Sequence, residues 1–107
     1  MLQPYVQLDE SGRPQKGLLP ETADGRVVEF YYDTNGTDIT VVFVTIPVQH
    51  TSRKRAFTVG KTFKTISTLE DFTLLRYDLT DHKILATLEM FADGSERQID
   101  ASRLLDY

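Results

Sequence analysis

The stretch "RVVEFYYDTNGTDITVVFVTI" (residues 26–46) decides the fold class. β-Branched and aromatic residues crowd its two runs, a composition that suits the pleated, half-buried surface of a strand. Asn35 and Gly36 lie between the runs, and an Asn-Gly pair takes the positive φ angles of a type I′ turn, whose twist matches that of the strands it joins. Residues 26–33 and 38–46 are therefore expected to form a β-hairpin. Pro47 ends pairing on one side, because it has no N–H to give to a ladder. Within the second run Ile39, Val41 and Phe43 share one face, and Val42, Val44 and Ile46 share the other. Both faces are apolar, the pattern of a central strand covered on both sides.

Further along, "AFTVGKTFKTI" (residues 56–66) places Gly60-Lys61 where a type II′ turn would join 55–59 to 62–66 as a second hairpin. In "STLEDFTLLRYDL" (residues 67–79), Ser67 and Glu70 have capping-box spacing, whereas Leu75, Tyr77 and Leu79 alternate with Arg76 and Asp78. We read one helical turn over 67–71 and then a strand over 72–79, since the β-rich neighbours need pairing partners. "KILATLEMFADGSERQID" (residues 83–100) supplies another hairpin, with Ile84, Ala86, Leu88 and Met90 on one face and a turn at Asp93-Gly94 before a strand over 95–99. Asp100 or Ser102 can cap a last helical turn that packs Leu104 or Leu105 under the sheet.

Working back from Arg26, residues 1–25 hold Pro4, Pro14 and Pro20 with Gly12, Gly17 and Gly25, punctuation that defeats both helix and strand periodicity. They read as an extended N-terminal arm. Tyr5 to Leu8 alternates and could add one strand to a sheet edge, its own or a partner's. The expectation is an all-β, mainly antiparallel fold: a small barrel or sandwich of six to seven short strands over 26–107, with one or two single-turn helices and the arm.

A chain of 107 residues fits one domain. Hydrophobic residues make up 40% and charged residues 26%, which places it among globular proteins and away from disordered ones. With no cysteine there is no disulfide framework, thiolate nucleophile or thiolate metal site. No basic start followed by an apolar run opens the chain, and no segment approaches the ~20 apolar residues of a membrane helix, so a soluble cytoplasmic protein with no membrane partner is expected.

Catalytic signatures are missing at the level of spacing. His50 and His82 lack second and third partners at metal-site or nucleophile–base spacing. His82 lies near Asp78 and Asp81, but "TDHK" reads more simply as a turn between strands. Gly12 and Gly17 are spaced like the bracketing glycines of a P-loop but are followed by Leu18 and Leu19, where Lys and Ser or Thr would be needed. Neither "DESG" nor "LPETADG" makes a calcium loop. Carboxylates such as Glu70 and Asp71, or Glu96 and Asp100, read as surface charge. We therefore expect no catalytic residue, metal or cofactor, and no enzyme.

Two features point to binding instead. The chain has net charge -4, yet by region the charge is -4 over residues 1–50, +5 over 51–64 and -5 over 65–107. Arg53, Lys54, Arg55, Lys61 and Lys64 thus form a cationic segment on an acidic body. Consecutive strand residues point to opposite faces, so "FYY" at 30–32 must place an aromatic ring outside the core, which adds Tyr31 and Tyr32 as candidates. These seven residues suit a non-catalytic module, such as an adaptor, inhibitor or accessory protein, engaging an acidic protein surface. The basic residues alternatively pair within the fold or protect a strand edge. Two further alternatives are a structural subunit that packs its arm on a neighbour, and RNA or DNA binding by a small barrel, which the net charge disfavours.

Overall fold

The computed structural model describes residues 4–107. Nine strands run in sequence: β1 (Tyr5–Leu8), β2 (Pro14–Leu18), β3 (Val27–Tyr32), β4 (Ile39–Val48), β5 (Thr51–Thr58), β6 (Thr62–Lys64), β7 (Asp71–Leu79), β8 (Ile84–Met90) and β9 (Glu96–Asp100). All pairings are antiparallel, and each strand pairs with its predecessor except at one step. Sheet A has the order β1-β2-β3-β4-β5 and sheet B the order β6-β7-β8-β9. The antiparallel all-β expectation holds, but the strands number nine rather than six or seven, the added pair β1 and β2 falling in the residues read as arm. Of the two architectures expected, the strands form two sheets, not a closed barrel. Among the described residues no helix is long and apolar enough to cross a membrane.

The hairpin over residues 26–46 is present, with Val28 opposite Val44 and Phe30 opposite Val42. Its turn differs from the type I′ expectation: Gly36 is left-handed at φ 71°, and Asn35 is not. The Gly36 N–H donates to the Asp33 carbonyl at 3.0 Å, and the Asp33 carboxylate accepts from the Thr37 N–H at 2.9 Å. Asp at the first position and Gly at the fourth is the signature of the commoner type I turn, which needs positive φ only beyond its central residues.

The second expected hairpin is overturned. β6 leaves β5 and pairs with β7, so Gly60 marks the corner where the chain changes sheets. The Lys61 N–H bonds the Thr58 carbonyl at 3.2 Å, placing Gly60 third in the turn at φ 87°, as a type II turn requires. β5 also begins earlier than expected, at Thr51, and pairs with β4 through Pro47. Pro47 is tolerated because β3 begins at Val27, opposite Thr45, so no strand lies on its other side.

Residues 66–68 form a turn rather than a helical one, and Glu70 N–H donates to Thr65 Oγ1 instead of entering a capping box with Ser67. The last hairpin follows the sequence pattern: Ile84, Ala86, Leu88 and Met90 are all buried. So does the end of the chain, where Asp100 caps a 3-10 helix (Ala101–Asp106) by accepting from the Ser102 N–H at 2.9 Å, and Leu104 and Leu105 are buried. Residues 5–18, read as arm, pair as a hairpin on β3, with Gly17 opposite Phe30; residues 1–3 of that arm lie outside the described residues.

The core lies between the sheets. Val28, Phe30, Val42, Val44 and Phe57 come from sheet A, and Phe72, Leu74, Tyr77, Ile84, Ala86, Leu88 and Met90 from sheet B. Phe63 bridges them, its ring 5.1 Å from Phe57 and 5.8 Å from Phe72. The buried Tyr77 hydroxyl donates to the Phe57 carbonyl at 2.7 Å, giving a carbonyl already in the β4–β5 ladder a second partner, from the other sheet. Burial pushes the Tyr77 phenol above its usual range, so it remains a donor at every accessible pH. Tyr77→Phe removes this bond and leaves the carbonyl to its ladder partner Val42, and is expected to lower stability by about 0.5 to 1.5 kcal/mol, read as a lower urea midpoint at unchanged slope.

Candidate functional site

The register fixes which side chains share the outer face of sheet A. Lys16 and Leu18 stand opposite Tyr31 and Glu29, Tyr5 and Gln7 opposite Leu18 and Lys16, and Val41 and Phe43 opposite Tyr31 and Glu29 on the other side. Ala56 and Thr58 on β5 continue the row. The result is an apolar and aromatic stripe across all the strands of sheet A. Tyr5 is 66% and Leu18 43% exposed, and no described element of the chain covers this face. A shallow depression of ≈ 200 Å³ lies between Tyr5, Lys16, Leu18, Glu29 and Tyr31. This corrects the reading of β4 as covered on both sides: Val42 and Val44 are buried, while Val41 and Phe43 on the outer face are half-buried. An irregularity opposite Tyr31 and Tyr32 leaves Thr40 out of the ladder and turns Ile39 inward, so Ile39 joins the core instead of the outer row.

The seven candidate residues do not come together as one surface. Tyr31 lies on the outer face, edge-on to Phe43 at 5.6 Å. Tyr32 points the other way, packing on the core with its ring 5.9 Å from Phe30. Lys54 is on the outer face, where its ammonium lies 5.2 Å from the centre of the Phe43 ring and 3.4 Å from the Glu29 carboxylate. Arg53 and Arg55 point to the opposite face of β5, and the Arg55 guanidinium lies 5.2 Å from the centre of the Phe57 ring and 5.4 Å from that of Phe63. Lys64 pairs with Asp71 at 2.8 Å. Lys61 is exposed at the corner between the sheets. Among the described residues, only Arg53 and Lys61 of the five cations make no ion pair or ring contact.

The sequence reading missed Tyr5, Lys16, Leu18 and Phe43. The signal was present in the alternation of Tyr5 to Leu8 and in the two-faced β4, but the pairing that unites them spans distant parts of the chain.

The remaining polar groups are occupied in the fold. The Arg26 guanidinium, nearly buried, donates to the Ser102 carbonyl at 2.8 Å, to Asp106 Oδ1 at 2.9 Å and Oδ2 at 2.6 Å, and to Asp24 at 3.1 Å. Arg103 reaches the same Asp24 oxygen at 3.0 Å. This network fastens the C-terminal helix to the start of β3. Hydrogen bonds from Thr22, Arg26 and Arg103 hold the Asp24 carboxyl down at about 2, and the Arg26 guanidinium lowers Asp106. His82 lies in an exposed turn closed by the Thr80 N–H on the Lys83 carbonyl at 2.8 Å. Among the described residues no three His, Asp or Glu side chains gather as metal ligands, and no buried side-chain polar atom lacks a hydrogen-bond partner.

No protein-family model matches the chain, and neither a curated protein nor a solved structure matches it.

Two predictions follow from the charge geometry. Asp24 and Asp106 have folded-state pKa values below their unfolded ones, so their stabilisation is complete above about pH 4 and is lost as pH falls toward about 2, where Asp24 titrates. Asp24→Asn with Asp106→Asn should flatten the decline of the melting temperature between those pH values. Among the basic residues, Arg55→Ala should cost about 1 kcal/mol through its two rings, while Arg53→Ala stays within ~0.5 kcal/mol in urea titrations.

Proposed function

We propose that the chain is a non-catalytic protein-binding module whose contact surface is the outer face of sheet A, with Lys16 and Lys54 set to meet an acidic partner surface. One observation carries the reading: the two outer faces differ. On sheet B the outward residues include Thr73, Arg76, Asp78, Glu89, Glu96 and Gln98, which suit a face turned to water. On sheet A the corresponding outward positions hold Tyr5 and Leu18, which are exposed, and Tyr31, Val41 and Phe43, which are half-buried. An apolar stripe rimmed by charge is the composition of a protein interface, where aromatic rings bring large contact area at low entropic cost.

The basic segment contributes through its outward member. Lys54 belongs to the face itself, whereas Arg53 points to the opposite face of β5 and Lys61 stands at the corner between the sheets. This narrows the expected cationic surface to part of its length, since Arg55 and Lys64 serve the fold. The reading covers a partner that is an adaptor's client, an enzyme held in check or a subunit of an assembly; all three require the same face to be dry on binding.

The test pairs two variants of equal charge change. Tyr5→Glu with Leu18→Glu places two acids on the outer face of sheet A, and Arg76→Glu makes the same change in net charge on that of sheet B. Both sites are exposed, so Arg76→Glu should stay within ~0.5 kcal/mol of the wild type in urea titrations. The two glutamates, directly opposite each other across β1 and β2, should cost about 1 kcal/mol more with the core fold intact. Proteins captured by the wild type and quantified by mass spectrometry should be lost with the first variant and kept with the second. Equal capture by both would remove the face from consideration. Capture abolished by nuclease would transfer the reading to nucleic acid.

A further inference from the structure

The two sheets have four edge strands, and three of them carry charge. β5 has Arg53, Lys54 and Arg55, β6 is three residues long with Lys64, and β9 has Glu96 and Arg97. Charged side chains and shortness on an edge discourage the pairing of another chain. β1, "YVQL", carries none, and no described segment pairs with its outer side. It also borders the shallow depression, since Tyr5 and Gln7 line one wall of it and Lys16, Leu18, Glu29 and Tyr31 the rest.

We infer that β1 accepts an extended peptide segment of a protein partner as an added strand of sheet A. The inference rests on reading the outer face as a protein-binding surface and names the form of the partner. Backbone hydrogen bonds along β1 supply the attachment, and alternate side chains of the segment lie on the outer face beside Tyr5 and Gln7. The register behind β1 limits the segment's chemistry. Lys16 stands directly behind Gln7 on that face, is exposed, and makes no ion pair among the described residues. Strands lie ~4.8 Å apart, so an added strand lies ~10 Å from β2, a span that a lysine and a glutamate side chain bridge together over Gln7. Two residues along the segment, on the same face, an apolar side chain meets Tyr5 and covers the mouth of the depression. The segment therefore carries an apolar and an acidic residue at alternate positions.

A second copy of the chain fits less well. Antiparallel self-pairing of β1 sets only uncharged residues against each other. It brings the two Lys16 side chains onto one face about three strand spacings apart, roughly 14 Å, and provides no acid for either.

Three capped hexapeptides of the form Thr-Val-Thr-X-Thr-Val, with X as glutamate, glutamine or lysine, test the inference against the whole chain. Amide chemical shifts and hydrogen exchange at Tyr5 to Leu8 are the readout. The glutamate peptide should bind about tenfold more tightly than the lysine peptide, with glutamine between, and Lys16→Glu should reverse the order. N-methylating the peptide backbone on the alternate positions that face β1 should abolish binding, while the other set is tolerated. If both N-methylated peptides bind as well as the parent, side chains alone dock on the face: strand addition falls and the face reading stands. Protection of β1 that grows with protein concentration in the absence of peptide would assign the edge to a second copy and overturn the inference. So would unchanged β1 amides with all three peptides.

Discussion

A chain that runs as a single meander through two sheets must leave one and begin the other at some point, and here three backbone hydrogen bonds hold that step. The Val59 N–H donates to the Thr40 carbonyl at 2.9 Å, the Gly60 N–H to the Leu74 carbonyl at 2.8 Å, and the Leu74 N–H to the Lys61 carbonyl at 3.1 Å. Consecutive corner residues are thereby bonded to β4 on one side and β7 on the other. This brings the sheets together along the β5–β6 side, and Phe57, Phe63 and Phe72 fill the space behind the corner. The opposite boundaries, β1 of sheet A and β9 of sheet B, are left as edges.

Local patterns carried much of this architecture. The Asn-Gly hairpin, the buried face of Ile84 to Met90 and the Asp100 cap were all visible, because each is decided by residues within a few positions of one another. The corner was misread for the complementary reason. A glycine turn between two β-rich runs looks the same whether the second run folds back on the first or pairs with a strand that follows it. Only the packing of Phe63 between Phe57 and Phe72 decides the matter, and that depends on all three sheet positions at once. The segment before Gly25 was obscured differently. Its prolines and glycines fall at strand ends and turns, except for Gly17, where a β-carbon would lie 2.3 Å from the Phe30 ring, so the residue that looked like a breaker is the one that lets an aromatic side chain lie across β2.

The candidate site was legible in part. Tyr31 and Lys54 share the outer face, but the sequence grouped them with residues that serve other ends. A count of charge along the chain cannot register that Lys54 reaches Glu29 across β4, that Lys64 faces Asp71, or that Arg55 covers two phenylalanine rings. Segregation along the sequence is partly undone by pairing in space. The pattern that did mark the surface was the two-faced apolarity of β4, read as evidence for a second covering layer.

That layer's place is taken in the free chain by a cation and by water. Phe43, central in the uncovered face, has Lys54 over its ring, and Lys54 in turn is held near Glu29. A half-exposed lysine on an aromatic ring shields apolar area while leaving its charge hydrated. A partner that removes water from this face meets a choice set by electrostatics. It either leaves the lysine–glutamate pair at the rim, where solvent still reaches it, or buries the pair and must supply hydrogen-bonding groups for both charges. The pair sits toward the β5 side, whereas the widest exposed apolar area, Tyr5 and Leu18, lies toward β1. Contact centred near β1 and β2 dries the apolar area and keeps the pair wet, which makes that end of sheet A the less costly place for a partner to sit.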